Sequence, residues 1–232
     1  MVKKSICILA NSIKFGGRCV AGVEVIQQLD GKWELTDNWV RPLGYQQDGS
    51  LIYSEYVLDT NLIPNILDIV DIHLEFPVPS PGHLEDWLIV QNSKWIFRGH
   101  FALDVAQFLL QTPNNLWLEN AFQTDRVTTA YLLSNKLPSL YLIRPTNLEI
   151  FFIETHYKCQ ATKKRRIRFI YNEISYDLAL TDPKMQQKYF SYFPSVSNGI
   201  LSIGPASNSI ICVSLTPPLN GYHYKLVATV LE

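Results

Sequence analysis

Apolar and polar residues alternate with a period near two over much of the chain, the pattern of strands. In Ser5 to Val25, Ile6, Ile8 and Ala10 fall on one face and Cys7 and Leu9 on the other, so both faces read as buried. Cys19 to Ile26 is the partner strand. The loop between them, Asn11-Ser12-Ile13-Lys14-Phe15-Gly16-Gly17-Arg18, is polar, and its glycines permit positive φ and close approach of a ligand. Lys32 to Pro42 reads as a third strand that stops at the proline. Leu43 to Asn65 is polar and irregular at first, with Leu51 to Leu58 extended. From Ile66 to Val78, Ile69, Asp71, His73 and Glu75 oppose Val70, Ile72, Leu74 and Phe76, which predicts a half-exposed strand with an acidic outer face. Short strands at Trp87–Val90 and Lys94–Arg98 follow.

The middle of the chain changes rhythm. Leu103, Ala106, Leu109 and Leu110 form an apolar stripe that predicts a helix over Ala102–Gln111, ended by Pro113. A second, shorter helix is expected at Asp125–Ser134 behind a Thr124 cap. Strands resume at Leu140–Ile143 and Leu148–Glu154. Arg165–Tyr171 and Ile174–Leu180 flank Asn172-Glu173 as a two-residue hairpin, in the register that sets Arg168 opposite Asp177 and Arg166 opposite Ala179. Ile210–Leu215 and Tyr224–Leu231 close the chain as strands. Short strands with regular turns and few helices suit small closed barrels. The expected organisation is mainly β: one barrel at 1–100, a helical connector at 101–137 and a second barrel at 138–232.

Composition supports a well-cored protein, with 47% hydrophobic and 18% charged residues over 232 positions. There is no apolar run of about 18 residues for a membrane span and no signal-peptide core, so a cytoplasmic protein without membrane association is expected. The cysteines, Cys7, Cys19, Cys159 and Cys212, lack metal or CxxC spacing, and at least three read as reduced core residues. The net charge of −1 hides an uneven distribution. Tyr157 to Tyr171 holds Lys158, Lys163, Lys164, Arg165, Arg166 and Arg168 without an acid, so taking these six from −1 leaves −7 for the rest.

The five histidines show no metal-ligand spacing, and no nucleophile elbow, phosphate loop or dinucleotide fingerprint occurs. His83, Glu85 and Asp86 read as a solvated loop. No enzyme activity, metal or cofactor is expected. A cationic strand beside aromatic rings fits a single strand instead, with cations on phosphates and rings on bases. Phe169 and Tyr176, however, read first as core. Lys14 and Arg18 are suited to a phosphate or carboxylate at the first loop.

Several stretches together resemble the bacterial dual OB-containing domain family. They are ICILANSIKFGGRCVAGVEV, WVRP at Trp39–Pro42, LDIVDIHL, HLEDWLIV, RFIYNEISYDLALTDP and ICVSLTPPLNGYHYKLVATVLE. The resemblance implies two OB-like barrels bridged by a short helical segment. It also implies a non-enzymatic, nucleic-acid-binding or sensing role in bacterial anti-phage and other conflict systems. By position Asn11, Ser12, Lys14, Arg18 and Arg41 match the family's polar loop and W-x-R-P element. Lys163, Lys164, Arg166 and Arg168 form a second track on the charge argument alone. The expected ligand is nucleic acid, single-stranded DNA or RNA before duplex. The alternative is an adaptor whose basic strand docks on a partner enzyme of a defence system.

Overall fold

The computed structural model describes residues 1–14, 16–120, 123–157, 160–190, 202–203 and 208–232, with side chains except at 152–157, 160–163, 189–190 and 202–203. The chain forms two compact units, each with its own core. The first comprises Met1–Leu110 with Pro138–Leu140, and the second Gln111–Leu137 with Tyr141–Glu232. The stretch expected as a separate connector is thus divided between them.

The first unit contains β1 (Val2–Lys14), β2 (Gly17–Gln27), β3 (Trp33–Leu43), a single-turn helix α1 (Tyr53–Tyr56), β4 (Asp68–Pro77), β5 (Asp86–Ile89) and β6 (Ile96–His100). Its strands run in the order β1-β2-β3-β5-β4-β6, and β1 also pairs with β4, closing a five-stranded barrel. The β3–β5 contact is parallel and the others antiparallel. This is the Greek-key connectivity of an OB barrel, with α1 in the usual place between the third and fourth strands. Ile6, Ile8, Val20, Val40, Val70, Ile72 and Leu74 fill its interior. A bulge between Ile8 and Ala10 bends β1. Opposite it stands Gly22, where a Cβ would lie 2.1 Å from the Cys7 carbonyl oxygen.

The alternation of β4 is as the sequence predicts, but its outer face is not exposed acid. Asp71 is 1% accessible and accepts from Ser5 Oγ (2.6 Å) and Arg98 Nε (2.8 Å), with Lys3 Nζ 3.2 Å away. Burial opposes its charge, yet these donors hold its carboxyl below the usual range. The helix expected over Ala102–Gln111 is a 3-10 helix at Leu103–Leu109. Leu103, Ala106 and Leu109 are spaced by three, a row that suits 3-10 geometry, and only Ala106 of this helix is buried.

The second unit contains β7 (Arg126–Thr128), α2 (Thr129–Asn135), β8 (Leu140–Ile143), β9 (Thr146–Tyr157), β10 (Gln160–Tyr171), β11 (Ile174–Leu180), α3 (Pro183–Phe190), β12 (Ser202–Ile203), β13 (Ile210–Leu215) and β14 (Tyr222–Leu231). The expected second helix is therefore preceded by a short strand and starts later. Thr128, not Thr124, caps it by accepting from Tyr131 N–H at 3.1 Å. The sheet order is β12-β9-β10-β11-β14-β13-β8, and β7 adds to β14. Only Arg144 and Pro145 separate β8 from β9, so both act as one interrupted first strand. Read that way the order repeats the first barrel, including a parallel pair between the third strand (β11) and the fifth (β14). α3 again falls between the third and fourth strands. Phe169 and Tyr176 stack at 5.5 Å inside this core, and Trp117 and Tyr141 lie tilted to one another at 4.8 Å.

Candidate nucleic-acid interface

Apart from Arg41, which lies on β3, both groups of residues singled out in the sequence lie on the hairpin that joins the first two strands of a barrel. Their surroundings differ. In the first barrel Ser12 is buried and Asn11 half-buried on β1. Lys14 Nζ donates to the Asp48 carbonyl oxygen and lies 3.9 Å from the Asp48 carboxylate, so its charge is partly matched. Gly17 and Arg18 are laced to the segment after β3. Arg18 N–H donates to Leu51 O at 2.9 Å and Leu51 N–H returns the bond at 2.8 Å. A Cβ on Gly17 would stand 2.7 Å from Leu51 O. The Arg18 side chain is half-exposed and makes no ion pair among the described residues. Phe15 lies outside the described residues.

Arg41 does not face a ligand. It is 3% accessible, and its Nε donates to Asp86 Oδ1 at 2.6 Å while Nη2 meets His83 Nδ1. Glu85 lies 3.9 Å from the guanidinium and accepts from Ser139 Oγ. Arg41 N–H also donates to Glu85 O at 2.8 Å. Desolvation works against this cation, but Asp86, Cys19 and Glu85 outweigh it and keep Arg41 firmly protonated. Burial likewise opposes the charge of Glu85, whose bonds to His83 and Ser139 and proximity to Arg41 still hold its carboxyl below the usual range. The segment from His83 to Asp86 is therefore the buried anchor of the loop between β4 and β5, not a solvated tip. The donor atoms of His83, Glu85 and Asp86 lie within 4.8 Å of one another, a set of ligand types that suits a transition metal. The guanidinium already serves as their cation. Sequence patterning misses this cluster because a run of His, Glu and Asp looks the same whether or not a distant arginine folds onto it.

The outward row Cys7–Val23–Trp39 runs across β1, β2 and β3. Cys7 and Val23 are buried, and burial with the nearby Asp68 pushes the Cys7 thiol up to about 12. This row thus presents little open polar surface.

In the second barrel the cationic run is β10, the second strand. Ile167, Phe169 and Tyr171 point into the core, so Lys164, Arg166 and Arg168 form the outward row. The register to β11 is the one the turn predicts, with Arg168 opposite Asp177, Phe169 opposite Tyr176 and positive φ at both Asn172 (47°) and Glu173 (66°). Arg166 Nε donates to Asp177 Oδ1 at 2.7 Å and Nη2 to Asp177 O at 2.6 Å. Arg168 lies 3.5 Å from Asp177 and 3.6 Å from Glu149, with its guanidinium 4.8 Å above the Phe151 ring. Two arginines thus share two acids. Lys164 is exposed and Arg165 half-exposed, and neither makes an ion pair among the described residues. Arg165 belongs to the run but is not singled out by strand alternation, which turns it toward the core side. Lys163 extends the strand opposite Glu154, with its side chain outside the described residues, as are Lys158 and the Tyr157 ring. β10 pairs with β11 only from Arg166 onward, so Gln160 to Arg165 continues with β9 as a two-stranded ribbon.

The family described as Dual OB-containing domain matches residues 4–230 of this chain. The chain belongs to that family. No curated protein matches it. As a dual OB-containing domain it is an OB-fold module, the class whose second- and third-strand face and flanking loops meet oligonucleotides. The cationic residues singled out in the second barrel lie on its second strand. Those of the first are mostly turned to internal bonds.

Proposed function

We propose that this dual OB protein binds single-stranded nucleic acid without catalysing a reaction, and that the second barrel carries the contact. The observation that supports this reading is the end of β10 beyond its pairing with β11, where exposed Lys164 and, on the other face of the ribbon, half-exposed Arg165 make no ion pair among the described residues of an OB barrel's second strand. Phosphates of a flexible strand follow such a basic track, and duplex fits it less well because its charges are held at fixed spacing. Arg166 and Arg168 frame the track, their guanidinium planes set by Asp177, Glu149 and Phe151. In the first barrel Arg18 is the one of the singled-out cations with no ion pair or hydrogen bond to its side chain among the described residues. The proposed setting is a cytoplasmic component of a bacterial anti-phage system, carried by the family resemblance.

The test is fluorescence anisotropy with labelled single-stranded DNA, single-stranded RNA and duplex DNA at two salt concentrations. Binding to a single strand is expected, with log affinity falling by about 0.7 per neutralised phosphate against log salt. The Lys164→Glu/Arg165→Glu variant should lose at least about tenfold in affinity while keeping the parent's circular dichroism. Reversal at Arg166 and Arg168 is a poorer test, since it would set four acids together. A flat salt response with stoichiometric capture of a protein would favour the second reading, an adaptor docked on an acidic partner. The charge-matched pair Arg166 and Arg168 is the feature that favours it.

A further inference from the structure

Outside the cationic strand, Arg126 of the second unit also makes no ion pair among the described residues. Arg126 opens β7, which pairs antiparallel to the start of β14 with Arg126 opposite Tyr224 and Thr128 opposite Tyr222. Its guanidinium lies 4.9 Å above the centre of the Tyr222 ring, the diagonal neighbour across the strands. Its Nε is buried with no hydrogen-bond acceptor, and among the described residues the side chain makes no ion pair. Glu119 accepts from Thr128 N–H at 3.0 Å and Thr128 Oγ at 2.9 Å, and forms no ion pair with Arg126. The ring beneath is equally fixed. Asn220 and Gly221, both at positive φ (52° and 81°), make the tight turn that returns the chain into Tyr222, and Leu219 and Tyr222 exchange backbone bonds of 2.8 and 3.1 Å. Thr129 N–H donates to Gly221 O at 3.0 Å and pins that turn to α2.

We infer that Arg126, placed over the Tyr222 ring beside the β13–β14 turn, is a stacking platform for one unpaired base of a bound single strand. This rests on the nucleic-acid reading above and adds a contact that the cationic strand does not supply. A guanidinium seated on a ring offers its second face to another planar system, and bases stack on arginine planes as they do on aromatic rings. An arginine with an acid partner is neutralised and fixed by that acid. Arg126 is instead oriented by the ring and keeps its charge for the strand. β7 is not one of the five barrel strands, so this platform is an addition to the barrel, not one of its walls.

The measurement is anisotropy with a labelled single-stranded DNA on the full chain, alongside photocrosslinking of a strand carrying 5-iodouracil to the unaltered protein. Arg126→Gln should weaken binding roughly tenfold, as expected for one stacked base. Arg126→Lys, which keeps the charge and loses the plane, should weaken it nearly as much, whereas a phosphate contact alone would be rescued by lysine. The crosslink should map to the peptides containing Arg126 or Tyr222. Parent-like affinity of Arg126→Gln, with Lys164→Glu/Arg165→Glu impaired, would overturn the platform and leave the nucleic-acid reading standing. So would rescue by lysine, or crosslinks confined to other peptides. If the parent protein binds no strand at all, both fall together. Should Arg126→Gln fail to fold, the crosslink on the unaltered protein decides.

Discussion

Lys225 shows what a single residue can cost this fold. It lies on the inward side of β14, 2% accessible, with Nζ 5.7 Å from the centre of the Tyr176 ring and no hydrogen-bond acceptor. Burial pushes its ammonium down from 10.5 to about 8, against the pull of Asp125 and Glu119. Below pH 8 both the folded and the unfolded chain carry the proton, and the buried charge weighs on the fold in full. Between pH 8 and 10.5 the folded chain has released the proton and the unfolded chain still holds it, so stability should rise with pH across that window. Lys225→Met, similar in length and apolar, should stabilise the protein by on the order of 2–3 kcal/mol at pH 7. It should also flatten the pH 8 to 10.5 rise, as read by urea denaturation. Equal stability of variant and parent at pH 7 would show that the ammonium finds water or an acid in solution.

At the scale of elements, the hairpins were legible, with the Arg168–Asp177 pair inside one of them, and the charge pairings between elements distant in sequence were not. Asn172-Glu173 fixed the β10–β11 register because a two-residue turn leaves little choice of partner, and alternation then sent Phe169 and Tyr176 inward. The β1–β2 hairpin was readable for the same local reason. Gly22 is the point where that hairpin leaves no room. A methyl there would meet Cys7 O at 2.1 Å, so Gly22→Ala should lower the midpoint of thermal unfolding by several degrees, corresponding to about 2 kcal/mol or more. An unchanged midpoint would mean that the bulge in β1 absorbs the methyl. By contrast, the acidic face read on β4 is hidden because its partners come from elsewhere: Ser5 and Lys3 from β1, Arg98 from β6. The same holds for Arg41, whose acids lie more than 40 positions away. Short-range pattern records which residues can be buried, and only the assembled sheet supplies the counter-charge. The apolar stripe at Leu103 to Leu109 misled for another reason, since a spacing of three serves a 3-10 turn as readily as an α-helix.

For the whole molecule, two units with separate cores give each variant an address. Arg41→Ala strands Glu85 and Asp86 as buried charges and should cost the first unit about 3–5 kcal/mol. Hydrogen exchange should then quicken in peptides of β3 and β5 and stay near parent rates in β11 and β14; uniform quickening would show that the units unfold as one. The two barrels also close their third strand to their fifth by unlike means. The first uses Arg41 on Asp86. The second uses Asp182 at the end of the third strand, whose carboxylate accepts from Val230 N–H at 2.8 Å and from Lys184 and Met185 N–H at the start of α3. A chain that carries the same strand order twice is exposed, while it folds, to trading fifth strands between its halves. Here the trade is penalised on both sides. A β14 laid on β3 would bring Arg41 no carboxylate from the Leu226–Val227 stretch that pairs in parallel, and a β5 laid on β11 would take Asp86 away from its buried arginine. The latches thus act as keys cut to different patterns, letting a duplicated chain tell its first half from its second before either is complete.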